Sequence, residues 1–248
     1  MELGSTRSPM ELCDLARLLA NAARATMLAA LLEGRALSAG ELARGSGVAS
    51  STASEHLAAL SGSGLVTSLQ SGRHRYYRLR GPEVAEALEA WFRLTPPSQP
   101  RSLRTSNEAR RIAFARTCYD HLAGAVGVAV LETMLEQSWL VATADGYDVT
   151  VAGERRLARM SVDVAAAREA RRPLARPCLD WTERRYHLAG ALAGELCSAV
   201  VAQGWVRRSA GRGLDVTPLG ANGFADALGR QLPSPETRHL ATAFPWRP

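Results

Sequence analysis

The chain contains no lysine: all 30 of its basic residues are arginine, set against 24 acidic ones for a formal net charge of +6. Two explanations stand side by side. Arginine's planar fork suits bidentate phosphate contacts, and codon bias in a GC-rich genome enriches Arg, Ala and Gly together. The mild positive balance favours an anionic partner, although where the arginines sit matters more than their sum. No apolar run reaches the ~20 residues needed to span a bilayer. The opening MELGSTRSPMEL lacks the basic-then-apolar layout of a secretory signal. These two absences point to a cytoplasmic protein with no membrane partner. The four cysteines (Cys13, Cys118, Cys178, Cys197) are widely separated and include no Cys-x-x-Cys pair. That argues for reduced thiols over a disulfide framework. A Gly-rich phosphate loop is missing too. Cys118 with His121 is the one nucleophile–base candidate, and no third group orients it, so a thiol enzyme is only an alternative.

What is present starts with length: 248 residues, 46% hydrophobic and 22% charged, are enough for two globular domains. Leucines at helical spacing predict a helix over Glu11–Ala20, and Met27, Leu28, Leu31 and Leu32 form the buried stripe of a second over Ala23–Leu32. Ser38 with Glu41 three residues on is a capping box that opens a third helix. Gly45 and Gly47 break it, and a fourth helix begins near Ser50–Thr52, with Leu57 and Leu60 facing inward. Ser50, Ser51, Thr52, Ser54, Glu55 and His56 crowd its first turns. Two strands follow, around Leu65–Leu69 and Tyr76–Leu79, with Arg73, His74, Arg75 and Arg78 at and near the hairpin tip. A further amphipathic helix spans Gly81–Leu94.

Short hydroxyl side chains at the start of the second helix of a helix-turn-helix meet base edges and phosphates. Arginines on a hairpin track the backbone beside the negative minor groove. The bland alternative for the serines is helix capping. In order and spacing this segment resembles the ArsR family of winged-helix repressors. NAARATMLAALLEG is similar to the helix that opens the family's DNA-binding motif, SxxSxHLxxL to its recognition helix, and GLV…RxxYYRL to its wing. The resemblance covers about the first 95 residues. It implies a homodimer paired through its first and last helices (here Leu12–Ala20 and Val84–Phe92), bound to an imperfect inverted repeat in double-stranded DNA and released by an effector. The family's metal sensors often carry Cys-x-Cys in the helix before the recognition helix; the matching stretch here, Ser38–Arg44, has no cysteine, and no metal is expected at the usual family sites.

Thr95–Pro100 is a proline-rich break. The expected organisation is a winged helix-turn-helix over 1–95, a Pro/Arg-rich linker and helix start over 96–117, a duplicated effector domain over 118–232, and a tail over 233–248. The linker's arginines, Arg101 to Arg116, suit either DNA phosphate or a solvated helix face. The duplication is visible as His121–Gly127 (HLAGAVG) returning at His187, an offset of 66 residues, and Tyr147–Thr150 returning at Leu214–Thr217, an offset of 67. Each copy reads as a helix (Leu122–Gln137; Leu188–Gln203), a hairpin and a short helix, a degenerate winged-helix-like unit. The fold class expected is mainly α with β-hairpin wings. The second copy's hairpin carries Arg207, Arg208 and Arg212 and is a candidate second DNA contact.

Upstream of each copy stands Arg-x-Cys-x-Asp: Arg116–Asp120 and Arg176–Asp180. Two pseudosymmetric thiols could converge on a soft ion or oxidise, and a nearby arginine would favour the thiolate. Simple burial of the cysteines is the competing reading. Cys118 and His121 share a face if that stretch is helical, and His121 and His187 stand where helices begin. Cys118, Tyr119, His121, Cys178, Trp181 and His187 are therefore the candidate effector residues, for a soft metalloid, a thiol oxidant or a small molecule, with no cofactor required. The expected function is an effector-released transcriptional repressor; the alternative is an architectural DNA-binding protein without an effector.

Overall fold

The structure is a computed structural model that describes residues 9–71, 74–95, 103–209 and 211–233. These fall into two compact units that divide between Leu88 and Glu89.

The first unit runs α1 (Pro9–Leu19), α2 (Ala22–Leu31), β1 (Leu37–Ser38), α3 (Ala39–Ser46), α4 (Ser50–Gly62), β2 (Val66–Ser71), β3 (His74–Leu79) and the start of α5 (Pro82–Leu94). Local chemistry sets the helix ends. Asn21 caps α2 by accepting from the Arg24 N–H. Ser38 and Glu41 form the complete capping box of α3, and Gly47 closes that helix in the left-handed conformation. Met27, Leu28, Leu31 and Leu32 of this unit are buried, as are Leu42, Leu57, Leu60, Val66 and Leu79. β2 and β3 form the wing, and β1 adds to β3 through Leu37↔Tyr77, giving an antiparallel sheet of order β1-β3-β2. That third strand is two residues long, too short to show any alternation in the sequence.

The second unit takes in the end of α5 and then α6 (Leu103–Phe114). After α6 the order hairpin, helix, hairpin, helix occurs twice. The first round is β4 (Arg116–Cys118), β5 (His121–Ala123), α7 (Gly124–Glu136), β6 (Leu140–Thr143), β7 (Gly146–Val149) and α8 (Val151–Arg159), followed by α9 (Val164–Glu169). The second is β8 (Arg176–Leu179), β9 (Tyr186–Ala189), α10 (Ala191–Ala202), β10 (Val206–Arg208), β11 (Leu214–Val216) and α11 (Pro218–Leu228). The two rounds share one core, in which Val126, Val130 and Met134 of α7 lie with Leu192, Leu196 and Val200 of α10. They also reach across to one another: the Tyr147 N–H donates to the Ala175 carbonyl and the Leu214 N–H to the Ala115 carbonyl.

The structure departs from the sequence expectation at the two histidines. His121 and His187 do not begin helices; they lie in β5 and β9, and α7 and α10 start only after them. The reason is backbone. Gly124 and Gly190 have φ of 73° and 101°, which ends each strand before the helix can wind. A Cβ on either would meet a carbonyl at 2.7 Å, Ala113 in one case and Leu174 in the other. Cys118 and His121 therefore do not share a helical face. They are directly opposed partners across a two-residue turn in which Tyr119 takes φ 59°. Cys178 faces His187 in the same way across β8 and β9.

Candidate DNA-binding face and a buried cysteine–histidine cluster

In the first unit, Ser50, Ser51, Ser54 and Glu55 are exposed at the start of α4, with Thr52 and His56 half-buried. The opposite face of the helix is closed by Ala53, Leu57 and Leu60. The serines do not cap this helix: its N-cap is Ala49, whose side chain offers no acceptor. The Ser54 hydroxyl donates back to the Ser50 carbonyl at 2.9 Å. Exposed hydroxyls and a helix start without a side-chain cap leave donors for phosphate and base edges. On the wing His74, Arg75 and Arg78 are exposed, while Tyr77 and Leu79 on the same strand are buried. Arg73 lies outside the described residues.

In the second unit the two Arg-x-Cys-x-Asp segments converge. The ligand atoms of Cys118, His121, Cys178 and His187 all lie within 4.8 Å of one another, and all four residues are buried. The two imidazoles face each other Nε2 to Nε2 at 3.2 Å. Their other nitrogens turn outward to carboxylates: His121 Nδ1 is 3.2 Å from Asp120 Oδ1, and His187 Nδ1 is 3.1 Å from Asp180 Oδ2. Each carboxylate is held by an arginine in turn. Arg172 donates to Asp120 at 2.5 Å, and Arg116 to Asp180 at 3.0 Å.

Asp180 is the most heavily used of these groups. Besides Arg116 it accepts from the Gly124 N–H at 2.7 Å and from the Thr182 hydroxyl at 2.7 Å. Burial alone would push its carboxyl up, but Arg116, His187 and Thr182 outweigh that and hold it far below the usual carboxylate range. Asp120 is likewise held low by His121 and Arg172 against its burial. Around the sulfurs, the bond from Cys118, with both imidazoles, pulls the Cys178 thiol well below its ordinary range against its burial. The same bond, together with burial, pushes Cys118 up. Cys197 shows the contrast: burial pushes it up to about 11, and it lies in the shared hydrophobic core as an inert apolar residue.

The sequence placed the four ligand-type residues on the candidate roster but assigned the arginine a different task. Arg116 is completely buried and paired to Asp180 of the other segment, so it neither covers DNA phosphate nor acts chiefly on its own neighbouring thiol. Tyr119 is half-buried in the turn between β4 and β5, and Trp181 follows Asp180 in the chain. Trp181 is stacked under the Arg116 guanidinium at 4.8 Å, and Arg212 lies 5.9 Å from the same ring. Arg212 is also paired to the buried Glu89 and lies over Phe92, both near the end of α5. It is thus committed internally, whereas Arg207 and Arg208 of the same hairpin are exposed.

The first unit's helix order, wing and exposed polar helix start define a winged-helix DNA-binding protein. The family model and the curated relative that match this sequence agree. A helix-turn-helix domain family matches residues 19–68. The HTH-type transcriptional regulator YdfF of Bacillus subtilis (strain 168) is 36% identical over 218 residues, which is 88% of this chain and 96% of that protein. Among solved structures, reduced HlyU from Vibrio cholerae is 33% identical over 34% of this chain and 88% of its own, with a TM-score of 0.32. The homodimeric winged helix-turn-helix domain Mb0332 from Mycobacterium bovis is 30% identical over 37% and 86%, also at 0.32. The chain belongs to the family of HTH-type transcriptional regulators that includes the Bacillus protein, and it is a transcriptional regulator with a helix-turn-helix DNA-binding domain. Among the described residues no helix is long and apolar enough to cross a membrane.

Proposed function

We propose that the protein is a homodimeric repressor that occupies an imperfect inverted repeat and is released when the second unit receives a signal at the cysteine–histidine cluster. The observation that carries this is the cluster itself. Two buried thiols and two facing imidazoles, each imidazole beside a carboxylate, bring together groups that a soft ion or a thiol oxidant can engage. Dimerisation is supported by apolar side chains left in solvent on the helices that the ArsR resemblance makes the pairing elements: Met10 and Leu12 on α1, Trp91 and Leu94 on α5. A route from signal to dimer geometry is supported by the run of contacts from Asp180 through Arg116 and Trp181 to Arg212, and from Arg212 to Glu89 and Phe92 on α5. The signal acts by binding one dimer geometry better than the other; without that difference it could shift nothing.

The test is selection of binding sites from a random duplex pool by the full chain. A consensus of two half-sites related by a twofold axis, their centres about one helical turn or more apart, is expected. Recovery of DNA with no consensus would make the protein architectural and end the repressor reading. In the same assay Arg75→Ala is expected to weaken all sequences alike and to lower the salt slope by about one.

A further inference from the structure

We infer that Cys118, His121, Cys178 and His187 form a tetrahedral site for one divalent metal ion of the zinc class. The inference deepens the functional reading and rests on it only for the consequence on DNA.

Geometry is the first argument. Four ligands at zinc–nitrogen and zinc–sulfur distances of about 2.0–2.1 and 2.3 Å, arranged tetrahedrally, stand about 3.3 Å apart nitrogen to nitrogen and about 3.8 Å sulfur to sulfur. The two Nε2 atoms are 3.2 Å apart, and all four ligand atoms fit within 4.8 Å. The spacing of the four ligand atoms is thus close to that of a closed tetrahedral site.

Tautomer chemistry is the second argument. Each Nδ1 stands 3.1–3.2 Å from a carboxylate, Asp120 or Asp180, a placement that favours the tautomer with its proton on Nδ1 and the Nε2 lone pair inward. Two inward lone pairs at 3.2 Å repel unless a cation lies between them. A proton can serve that one contact; only a metal ion serves both nitrogens and both sulfurs together. A carboxylate behind each histidine is also how metal-bound imidazoles are usually fixed and made more basic.

Charge is the third. Two thiolates and two neutral imidazoles around a divalent cation sum to zero, which a site this buried requires. The flanking Asp120–Arg172 and Asp180–Arg116 pairs are themselves neutral. Metal entry displaces to solvent whatever protons the thiols and the inward imidazole nitrogens carry. A two-sulfur, two-nitrogen tetrahedron selects zinc over ions that prefer oxygen or octahedral surroundings. One cysteine and one histidine come from each hairpin, so the ion would clamp β4–β5 to β8–β9 and tie the two rounds of the second unit together.

The experiment uses the full chain, stripped with chelator under reducing conditions and titrated with Co²⁺. Expected are the intense ligand-field bands of tetrahedral cobalt with thiolate-to-cobalt charge transfer, saturating at about one ion per chain and erased by Zn²⁺. Cys178→Ser and His187→Gln should lose this spectrum, whereas Cys197→Ser keeps it. Asp120→Asn should keep the bands but weaken affinity about 10–100-fold. Circular dichroism of each variant separates ligand loss from unfolding. Folded wild-type protein that gives no bands, or only the weak bands of octahedral cobalt, overturns the site. So do bands that persist in folded Cys178→Ser. A saturated site with DNA affinity unchanged would instead overturn the sensing reading and leave the metal site standing.

Discussion

Replacing Asp180 with alanine is expected to cost about 3–5 kcal/mol of stability, the penalty for stranding a buried charge. The Arg116 guanidinium is fully buried, and Asp180 is the carboxylate it pairs with at 3.0 Å. Removing that carboxylate leaves the cation without compensation and takes the acceptor from the Gly124 N–H, where the left-handed glycine ends β5. Asp180→Asn should cost less, because its amide oxygen can still accept from Gly124 and Thr182. Urea unfolding of chelator-treated protein is the measurement, with the slope unchanged between variants. A loss under about 1 kcal/mol for Asp180→Ala would mean that Arg116 finds another partner or water, and that the pair is not what anchors the two segments.

The second large effect belongs to a pair of glycines. Gly153 and Gly220 stand in the first turns of α8 and α11, where each helix crosses its preceding tryptophan: a Cβ would run into the carbonyl oxygen of Trp139 or Trp205. The obstacle in both places is main chain, which cannot swing aside as a long side chain would. The crossing is fixed further by Thr150 and Thr217, whose hydroxyls accept from Gly153 and Gly220 and donate to the backbone opposite. Gly220→Ala is expected to destabilise by about 3 kcal/mol, the upper part of the range for overpacking, despite alanine's better helix propensity. Gly45→Ala in α3, where a Cβ meets nothing within 4 Å, should stabilise by about 0.5–1 kcal/mol. Equal signs for the two substitutions in thermal unfolding would contradict the close crossing.

These positions mark where the sequence stopped being readable. In the first unit each signal was local: leucines at helical spacing, Ser38 with Glu41, charge at a hairpin tip. Local signals translate directly into elements, and only the two-residue β1 escaped. In the second unit the determining contacts are between residues about 60 apart. Arg116 to Asp180, Cys118 to Cys178 and His121 to His187 are brought together by the packing of two similar halves, which composition and periodicity cannot report. The repeated Arg-x-Cys-x-Asp segments do hold the cysteines, the aspartates and Arg116 that the fold brings together. What misled was the apolar run after each histidine, which reads as one helix from its first residue. Gly124 and Gly190 were the available clue, since a glycine inside HLAG can end a strand as readily as it can sit in a helix.

Whether the cluster controls DNA binding is tested most directly by fluorescence anisotropy of the full chain on its selected operator. Metal-free and Zn²⁺-loaded protein are compared, alongside the Cys118→Ser/Cys178→Ser double variant. A shift in affinity of at least about tenfold on loading, corresponding to ~1.4 kcal/mol of coupling, is expected for wild type and should vanish in the double variant. Equal affinities for the two wild-type forms, or a shift that survives loss of both cysteines, would contradict it.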